Sequence, residues 1–592
     1  MHTVTTDILI IGAGGAGLRA AIAAATESPE LEVTLVSKVY PMRSHTVAAE
    51  GGAAGVIQDH DSTNYHFNDT VSGGDWLCEQ DVVDYFVNAC TKEMIQLEHW
   101  GCPWSRKADG EINVRAFGGM KIERTWFAAD QTGFHILHTL FQTSTKLSNI
   151  KRLDEFFCLD LIVDDGRCHG AVVYDLAEGE PQVVLAKSVI LATGGAGRIF
   201  RYNTNGGIVT GDGMALAFRH GVALRDMEFV QYHPTGLPGT GVLMTEGCRG
   251  EGGILTNKDG YRYLQDYGLG PEVPVGTTKN KTMELGPRDK LSQAFWHEQQ
   301  KGRTIAHPLW GDVVHMDLRH LGEAKINERL PLIRELAQTM VGVDPVHEPI
   351  PVRPTVHYTM GGILVDQDCA TSVTGLYAVG ECSSVGIHGA NRLGSNSLAE
   401  LLVFGKVAGC AAAKFAQSTN VGDVNSLIQL GLDALQKAEA VRSSDGPEKV
   451  HLIRQELGLA MEAGIGIYRD QAGMQETCDT LAQLQQRYQH IGLADRSTVF
   501  NTEWLYAIEL GYLLDVAQAM AHSALERKES RGSHQRIDDY SQRDDEKYLM
   551  HTLAWYQPGQ PPKLSYQSVT ITKSPPAQRL YGGELDAQEA KI

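Results

Sequence analysis

The 592-residue sequence predicts a mixed α/β chain: a Rossmann-like domain interrupted by an inserted α+β domain, then a helical bundle and a short tail. Three observations predict it. An apolar run, Asp7 to Ile11, leads into Gly12-Ala13-Gly14-Gly15-Ala16-Gly17, an Ala-rich helical stretch through Ala25 and a second apolar run, Val33 to Val36. Two later apolar runs also end in glycine, Ser188 to Gly197 and Gly375 to Glu381, and between them lies a stretch of different texture. Beyond about residue 425, apolar residues recur at three- and four-residue spacing.

The N-terminal unit reads as strand, glycine turn, helix, strand. In such a unit the first glycine permits the tight turn and the second lets backbone approach a pyrophosphate. The third lets helix and strand pack closely, and the helix N-terminus faces the phosphate charge. The acidic residue that usually holds a ribose after the second strand is missing, and Ser37-Lys38 stand there instead. That argues against a simple nicotinamide-nucleotide site.

Residues 235–352 hold Gly- and Pro-rich loops and then amphipathic stretches such as Leu321 to Leu336. With dinucleotide-fold elements on both sides, this segment can close over the site as a lid. The expected organisation is 1–234 and 353–424 as two parts of one domain, 235–352 as the cap, 425–545 as the helical domain and 546–592 as the tail. Helices are expected over Leu427 to Val441, Leu452 to Ile467, Glu476 to Ile491 and Trp504 to Arg527. In the last, Leu505, Ile508, Tyr512, Val516 and Met520 mark one face, as core packing requires.

Bulk properties narrow the function. A chain this long exceeds one hydrophobic core. The net charge of −20 disfavours a nucleic-acid partner, since phosphate contacts need clustered Lys and Arg. The first residues are polar and run straight into a strand, and no apolar run approaches the ~18 residues of a membrane span. The expectation is a chain that meets a membrane only through partners. The ten cysteines are scattered, with no two lying two to four residues apart, so a zinc or iron–sulfur site within this chain is not expected.

The segment Arg43-Ser44-His45-Thr46-Val47-Ala48-Ala49-Glu50-Gly51-Gly52 follows the second strand, within reach of whatever the glycine turn binds. Further polar segments are Gln231-Tyr232-His233-Pro234-Thr235, Thr245-Glu246-Gly247-Cys248-Arg249, Gly286-Pro287-Arg288-Asp289, Arg353 to Gly362, and His388 to Ser397. The early glycine fingerprint, the middle Ala-Thr-Gly-Gly and the late Leu-Tyr-Ala-Val-Gly-Glu resemble two-dinucleotide-fold FAD proteins. With the polar segments they closely resemble the succinate dehydrogenase and fumarate reductase flavoprotein family, over nearly the whole chain.

The resemblance implies an α/β FAD-binding Rossmann-like domain with an inserted α+β capping domain, a C-terminal helical bundle and a short tail. It implies FAD bonded covalently through its 8α carbon to His45, with contacts from Gly12, Ala13, Gly14, Gly15, Ala16, Ser37, Lys38, Thr46, Glu50, Gly51, Gly52, Asp212, His357, Tyr358, Glu381, Arg392, Ser395, Ser397 and Leu398. Family members carry Ser-Lys after the second strand, so the missing acid does not exclude FAD. A turn aspartate would look the same as Asp212.

By the same resemblance, His233, Thr245, His357 and Arg392 form a dicarboxylate clamp. Arg288 is the proton donor or acceptor, Glu246 and Arg249 are its relay, and Phe117 lies against the substrate double bond. The chemistry suits the residue types. Arginine's planar fork matches a carboxylate bidentately, and histidines add charge-assisted donors. Cys248 reads equally as a reactive thiol or a small buried filler. His60, His66, His99 and His135 are expected to have surface or structural roles.

The implied reaction is fumarate to succinate with electrons from quinol, and succinate dehydrogenase is the reverse alternative. Glu50 in Ala-Glu-Gly-Gly resembles the bacterial reductases, where dehydrogenases tend to have Gln. L-Aspartate oxidase and soluble fumarate reductases lack the attachment histidine. A non-enzymatic flavin-bound scaffold would have lost Arg288 or Arg392. Implied partners are an iron–sulfur subunit, two small hydrophobic membrane-anchor subunits and a flavinylation assembly factor. The implied location is the cytoplasmic face of a bacterial inner membrane.

Overall fold

The computed structural model describes residues 2–308 and 311–585, so the last residues of the tail, 586–592, lie outside it. The first strand, His2–Ile11, lies between Val33–Ser37 and Glu180–Leu191, parallel to both. Ile150–Asp154 extends the sheet beyond Val33–Ser37. Leu376–Ala378 pairs parallel with the end of Glu180–Leu191. A meander of Phe156–Asp164 and Arg167–Asp175 completes a seven-stranded sheet. The central segments 8–11, 33–36, 189–191 and Leu376–Ala378 are buried on both faces, which is why they read as apolar runs, whereas the edge strand Ile150–Asp154 is half-exposed and polar.

The helix Gly15–Glu27 follows the glycine turn and packs along Asn396–Gln417. Small residues set that approach. A Cβ on Gly409 would lie 2.3 Å from the Ala20 carbonyl oxygen, and one on Gly405 would lie 3.0 Å from that of Ala16.

Residues 237–352 supply a second core, with Leu237, Met244, Leu255, Leu291, Phe295, Val314, Met316, Ile333 and Val352 among its buried members. The expected junctions, 234/235 and 352/353, lie where the chain passes between the two cores, from Tyr232 to Leu237 and from Val352 to Val356. Both fall inside strands, because Val230–Gly236 and Ile350–Thr359 pair with each other and with Gly311–Asp317 in one sheet. The inserted unit therefore grows out of the main domain through continuous strands. The amphipathic stretch Leu321 to Leu336 is not one helix. It divides into Glu323–Arg329 and Pro331–Val341, because Pro331 has no N–H to continue a helix and instead opens the second.

Four helices follow, Val424–Arg442, Val450–Gly464, Gln471–Tyr488 and Thr502–Glu526. The last is buried nearly all round, from Trp504 to Ala524, so the one-face stripe read from sequence understates it. It runs through the middle of the molecule. Tyr512 donates to the Leu159 carbonyl at 2.7 Å, and Asp515 pairs with Arg219 at 2.7 Å.

Among the described residues the tail makes no core of its own. Its strand Met550–Trp555 pairs with Leu224–Arg225 on one side and Lys563–Ser568 on the other, and Ala554 packs into the main core.

Candidate active site

The glycine turn opens one wall of a cavity of about 630 Å³. Gly12 has φ +114°, and a Cβ there would lie 2.1 Å from the Ala192 carbonyl oxygen. A Cβ on Gly17 would lie 1.8 Å from the Gly12 carbonyl oxygen. The turn is thus pressed against the strand end that carries Ala192-Thr193-Gly194-Gly195. Two helices begin at this cavity without a side-chain cap, Gly15–Glu27 and Asn396–Gln417. Their positive dipole ends, and the first-turn N–H groups beyond Gly15 and Asn396, suit an anionic group.

Most of the sequence-predicted cofactor residues line this cavity: Gly12, Ala13, Gly14, Gly15, Ala16, Ser37, Lys38, His45, Thr46, Glu50, Asp212, His357, Tyr358, Glu381, Ser397 and Leu398. Lys38 pairs with Asp212 at 2.7 Å and Glu509 at 2.9 Å. Thr46 Oγ1 accepts from Gly15 N at 3.1 Å, which ties the histidine segment to the helix start. Glu381 accepts from Thr359 N at 3.1 Å, and burial pushes its carboxyl up to about 7.

His45 Nδ1 accepts from Gly206 N at 3.3 Å. Burial, and then the nearby Arg198 charge, bring its pKa down to about 4, so the imidazole is neutral near pH 7. Burial, and then Asp130, push the Glu50 carboxyl well above the carboxylate range, and its Oε2 is buried without a partner.

Four predicted contacts take other places. Ser395 turns its hydroxyl to Thr125 Oγ1 at 2.7 Å and sits at φ +61° as the N-cap of Asn396–Gln417, so it shapes the helix start rather than the cavity wall. Gly51 and Gly52 lie behind the wall. A Cβ on Gly51 would meet the Phe117 ring at 2.8 Å, and one on Gly52 would meet the Trp126 carbonyl oxygen at 2.3 Å. Arg392 lies beyond Tyr358, its guanidinium carbon 4.2 Å from that ring's centre, and opens onto a second cavity of about 480 Å³ with Arg288.

The proposed chemical residues converge from six segments. Val230–Gly236 pairs with Ile350–Thr359, and the His233 and His357 rings stand 5.2 Å apart. Burial, and then the Arg288 charge, keep both imidazoles neutral. Arg288, the first residue of the helix Arg288–Gln300, donates to Glu246 Oε2 from Nε at 2.7 Å, and its Nη2 forms an ion pair with the same oxygen at 2.6 Å. Glu246 Oε1 accepts from Gly118 N at 2.6 Å and lies 3.7 Å from Arg249 Nη1. Burial opposes ionisation of Glu246, but Arg288 and then Arg249 outweigh it and hold the carboxyl below its usual value.

Thr245 caps the short helix Glu246–Gly250, accepting from Gly247 N at 3.2 Å. Phe117 is buried with Ala54, Met120 and Leu393. Arg392 donates from Nη1 to Ser397 Oγ at 3.0 Å, and burial, followed by repulsion from Arg288, lowers its pKa to about 10.

Several groups here were not predicted. Thr204 Oγ1 meets His357 Nδ1 at 2.8 Å. Arg115 donates from Nη2 to the Glu50 carbonyl and from Nε to that of Gly51, both at 3.1 Å. Gln231 contacts Arg288 and the Arg392 backbone. Strand alternation carried a signal for Gln231, since residues two apart share a face and His233 was already a candidate. Thr204 and Arg115 carried none.

Cys248 is fully buried and its thiol is pushed well up, first by burial and then by Glu50, which favours the filler reading over the reactive one. Among the described residues no cluster of side chains could hold a metal ion, and no helix is long and apolar enough to cross a membrane.

Comparison with known proteins decides the family. An FAD binding domain model matches residues 7–398, and a fumarate reductase flavoprotein C-terminal model matches 454–581. The chain belongs to the fumarate reductase flavoprotein family. It is 65% identical to a fumarate reductase flavoprotein subunit of Serratia over 590 residues, covering 100% of this chain and 98% of that one. The corresponding Escherichia coli subunit is 64% identical with the same coverage.

Among solved structures, an E. coli quinol fumarate reductase superposes with a TM-score of 0.97 at 64% identity, covering 98% of this chain and 99% of that one. The succinate dehydrogenase flavoprotein subunit of Rickettsia bellii is more distant, 38% identical over 606 residues and covering 97% of this chain and 98% of that one. The FAD-binding family match and the first cavity coincide, and the two uncapped helix starts, neutral His45 and unpartnered Glu50 Oε2 fit a bound FAD.

Proposed function

We propose that this chain is the catalytic subunit of a quinol-linked fumarate reductase, with FAD bonded to His45 and fumarate held between the flavin cavity and Arg288. The observation that carries the reading is a set of buried donors with nothing to accept from them. His233 Nε2, Arg392 Nε and Arg249 Nε and Nη2 are all sealed from solvent and unpartnered. Buried polar groups are almost always paired, so donors of one sign left open together point to an absent anion. Three guanidiniums against one ionised carboxylate, Glu246, leave a surplus of two positive charges, which a dicarboxylate matches.

The flavin, when bound, supplies the hydride. The chain's own residues do the rest. His233, held by Thr235 N at Nδ1 (3.3 Å), presents Nε2–H to one carboxylate, and Arg392 presents its fork. Neutral histidines donate without adding charge, so the arginines set the electrostatics. Polarising one carboxylate lets it take up negative charge, which makes the alkene carbon farther from it the acceptor of hydride and leaves carbanion character on the nearer one. Arg288 supplies the proton to that nearer carbon, and Glu246, ionised at rest and paired with Arg288, relays a replacement that reaches it from solvent by way of Arg249. An arginine can act so because the carbanion-like carbon is strongly basic and Glu246 keeps the guanidinium replenished. Holding substrate against these groups contributes through orientation.

The neutral state of His45 supports the attachment role, because only an unprotonated imidazole nitrogen can bond to carbon. Thr245 and Phe117 serve as the remaining walls. Glu50 and the larger identity to reductases than to dehydrogenases support the reductive direction. Electrons would arrive through an iron–sulfur subunit, with two hydrophobic anchor subunits holding the assembly on the cytoplasmic face of the inner membrane. A flavinylation assembly factor would act before assembly.

The test is fumarate reduction by reduced viologen with the isolated flavinated chain. Wild type should turn over, and Arg392→Ala should retain flavin yet bind succinate at least ~100-fold more weakly. Unchanged succinate affinity in Arg392→Ala would remove the clamp.

A further inference from the structure

Gln231 carries a role that none of the preceding assignments gives it. It is completely buried on the strand Val230–Gly236. Its Oε1 accepts from Arg288 Nη1 at 3.1 Å. Its Nε2 donates to Asn391 Oδ1 at 3.0 Å and to the Arg392 carbonyl at 2.7 Å. One neutral amide therefore links the residue proposed to move the proton with the loop that carries the second arginine.

The direction of that amide is fixed by its neighbours. Guanidinium nitrogens only donate, so the group facing Arg288 must be the oxygen. The Arg392 carbonyl only accepts, so the group facing it must be the NH₂. Asn391 agrees, because its Nδ2 donates to the Gly73 carbonyl at 3.3 Å, which leaves Oδ1 toward Gln231. Polarity runs one way along the chain, from Arg288 through Gln231 and Asn391 to Gly73. Such a chain is strengthened by its own alignment.

The consequence falls on Arg288. A guanidinium has five N–H donors. Glu246 takes one of them on Nε and pairs with Nη2 along the same edge, and Gln231 takes another on Nη1, which fixes the plane at two separate edges. One N–H on each terminal nitrogen remains for an incoming group. Glu246 alone would leave the guanidinium free to swing about its shared oxygen, since both of those contacts end on Oε2.

A glutamine also suits the charge balance where a glutamate would not. A carboxylate at 231 would bind Arg288 but repel Asn391 Oδ1 and the Arg392 carbonyl. It would also cancel one of the two surplus positive charges that match the substrate.

We propose that Gln231 is a positioning residue for proton transfer. It sets the plane of the Arg288 guanidinium and locks it in register with Arg392. The inference rests on the reading of Arg288 given above.

The test uses full-length flavinated protein carrying Gln231→Met, Gln231→Glu or Arg288→Ala. Fumarate reduction, succinate binding by calorimetry and the solvent deuterium isotope effect on kcat are measured for each. Gln231→Met, of similar volume, should lower kcat on the order of 10- to 100-fold, the range expected for one hydrogen bond to a charged group. Its isotope effect should rise, because proton transfer from a loosened donor becomes limiting, and its flavin content should be unchanged. Gln231→Glu should bind succinate on the order of 10-fold more weakly or worse, because it removes positive surplus.

A Gln231→Met protein with kcat and isotope effect within about twofold of wild type would overturn the proposal. So would a Gln231→Glu protein with wild-type succinate affinity. If Gln231→Met yields no folded protein, the Gln231→Glu affinity and isotope effect decide alone. An active Arg288→Ala protein would instead sink the underlying reading of Arg288.

Discussion

Arg288→Ala separates the role of this residue in chemistry from its role in holding the site together. The substitution removes three contacts: Nε and Nη2 to Glu246 Oε2 at 2.7 and 2.6 Å, and Nη1 to Gln231 Oε1 at 3.1 Å. Glu246 is then left fully buried, with Gly118 N at 2.6 Å and Arg249 at 3.7 Å. Breaking a buried ion pair from one side costs about 3–5 kcal/mol. The cost depends on pH. With Arg288 present, the depressed Glu246 carboxyl contributes stability above its ordinary value of 4.5, lost as pH falls through the folded-state value. Without Arg288, burial dominates and the carboxyl rises, so the mutant is penalised most above pH 4.5 and regains ground in acid.

Flavin should be retained, because Arg288 does not line the flavin cavity. Loss of a general acid should lower kcat by about 10²–10⁴-fold. Arg288→Lys sharpens the test. A lysine has one nitrogen and cannot meet Glu246 and Gln231 along two edges. It should therefore recover most of the thermal stability but remain at least ~100-fold slow. The assays are viologen-driven fumarate reduction and thermal unfolding at pH 5 and pH 8. Arg288→Ala turnover within tenfold of wild type would refute the proton role. Full activity in Arg288→Lys would show that charge alone suffices and that the two-edge geometry is irrelevant.

His45→Ser should abolish flavin fluorescence of the denatured protein on a gel while leaving flavin bound in the native state; persistent fluorescence would place the bond elsewhere. Asp130 is fully buried, and its Oδ2 accepts from Leu332 N at 2.8 Å and Ile333 N at 3.3 Å, capping the helix Pro331–Val341 from outside the inserted unit. Asp130→Ala should speed hydrogen exchange at those two amides by about 5- to 30-fold, the equivalent of a lost cap, and unchanged exchange would mean the cap does not hold the helix. His551 is raised above 6.5: burial opposes its charge, but Asp226 at 2.6 Å and Glu79 at 3.0 Å outweigh it. Its stabilisation is complete below pH 6.5 and fades as pH rises through the raised value, so His551→Gln should flatten the fall of the melting temperature between pH 6.5 and 9. An equally steep fall in the variant would assign that dependence to other groups.

The glycine turn and the apolar runs at Asp7 to Ile11, Val33 to Val36, Ser188 to Leu191 and Leu376 to Ala378 were legible because those strand segments are buried, and because Gly12 and Gly17 occupy positions where a Cβ would strike backbone; Ile150–Asp154, half-exposed and polar, and the antiparallel pair Phe156–Asp164 and Arg167–Asp175 were not read from sequence. The two junctions of the inserted unit fall inside the paired strands Val230–Gly236 and Ile350–Thr359, where Tyr232 and Val356 pack in the main core and Leu237 and Val352 in the second. Composition changes only where packing partners change, and here that happens mid-strand. The same reasoning explains Gly51, Gly52 and Ser395. They belong to motifs that surround a cofactor, yet their work is to let Phe117, Trp126 and Thr125 come close behind the wall.

What stayed hidden at the site is what depends on distance rather than residue type. Arg288 and Arg392 could be read as arginines in shaped loops, but their spacing could not. It takes the folded chain to place a neutral amide from a third segment between them. Like charges brought this close repel, as the lowered pKa of Arg392 records. A carboxylate placed between them would relieve that repulsion and so remove the attraction for a dianion. Gln231 holds both segments without supplying charge, and Glu246 supplies one negative charge on the side away from Gln231's contact with Arg288. The pocket can therefore remain electropositive, unpaired at His233 and Arg392, and still be rigid. That combination is stable only because the cost of the unpaired donors is met elsewhere in a large core, and it is the state in which an entering dicarboxylate gains the most.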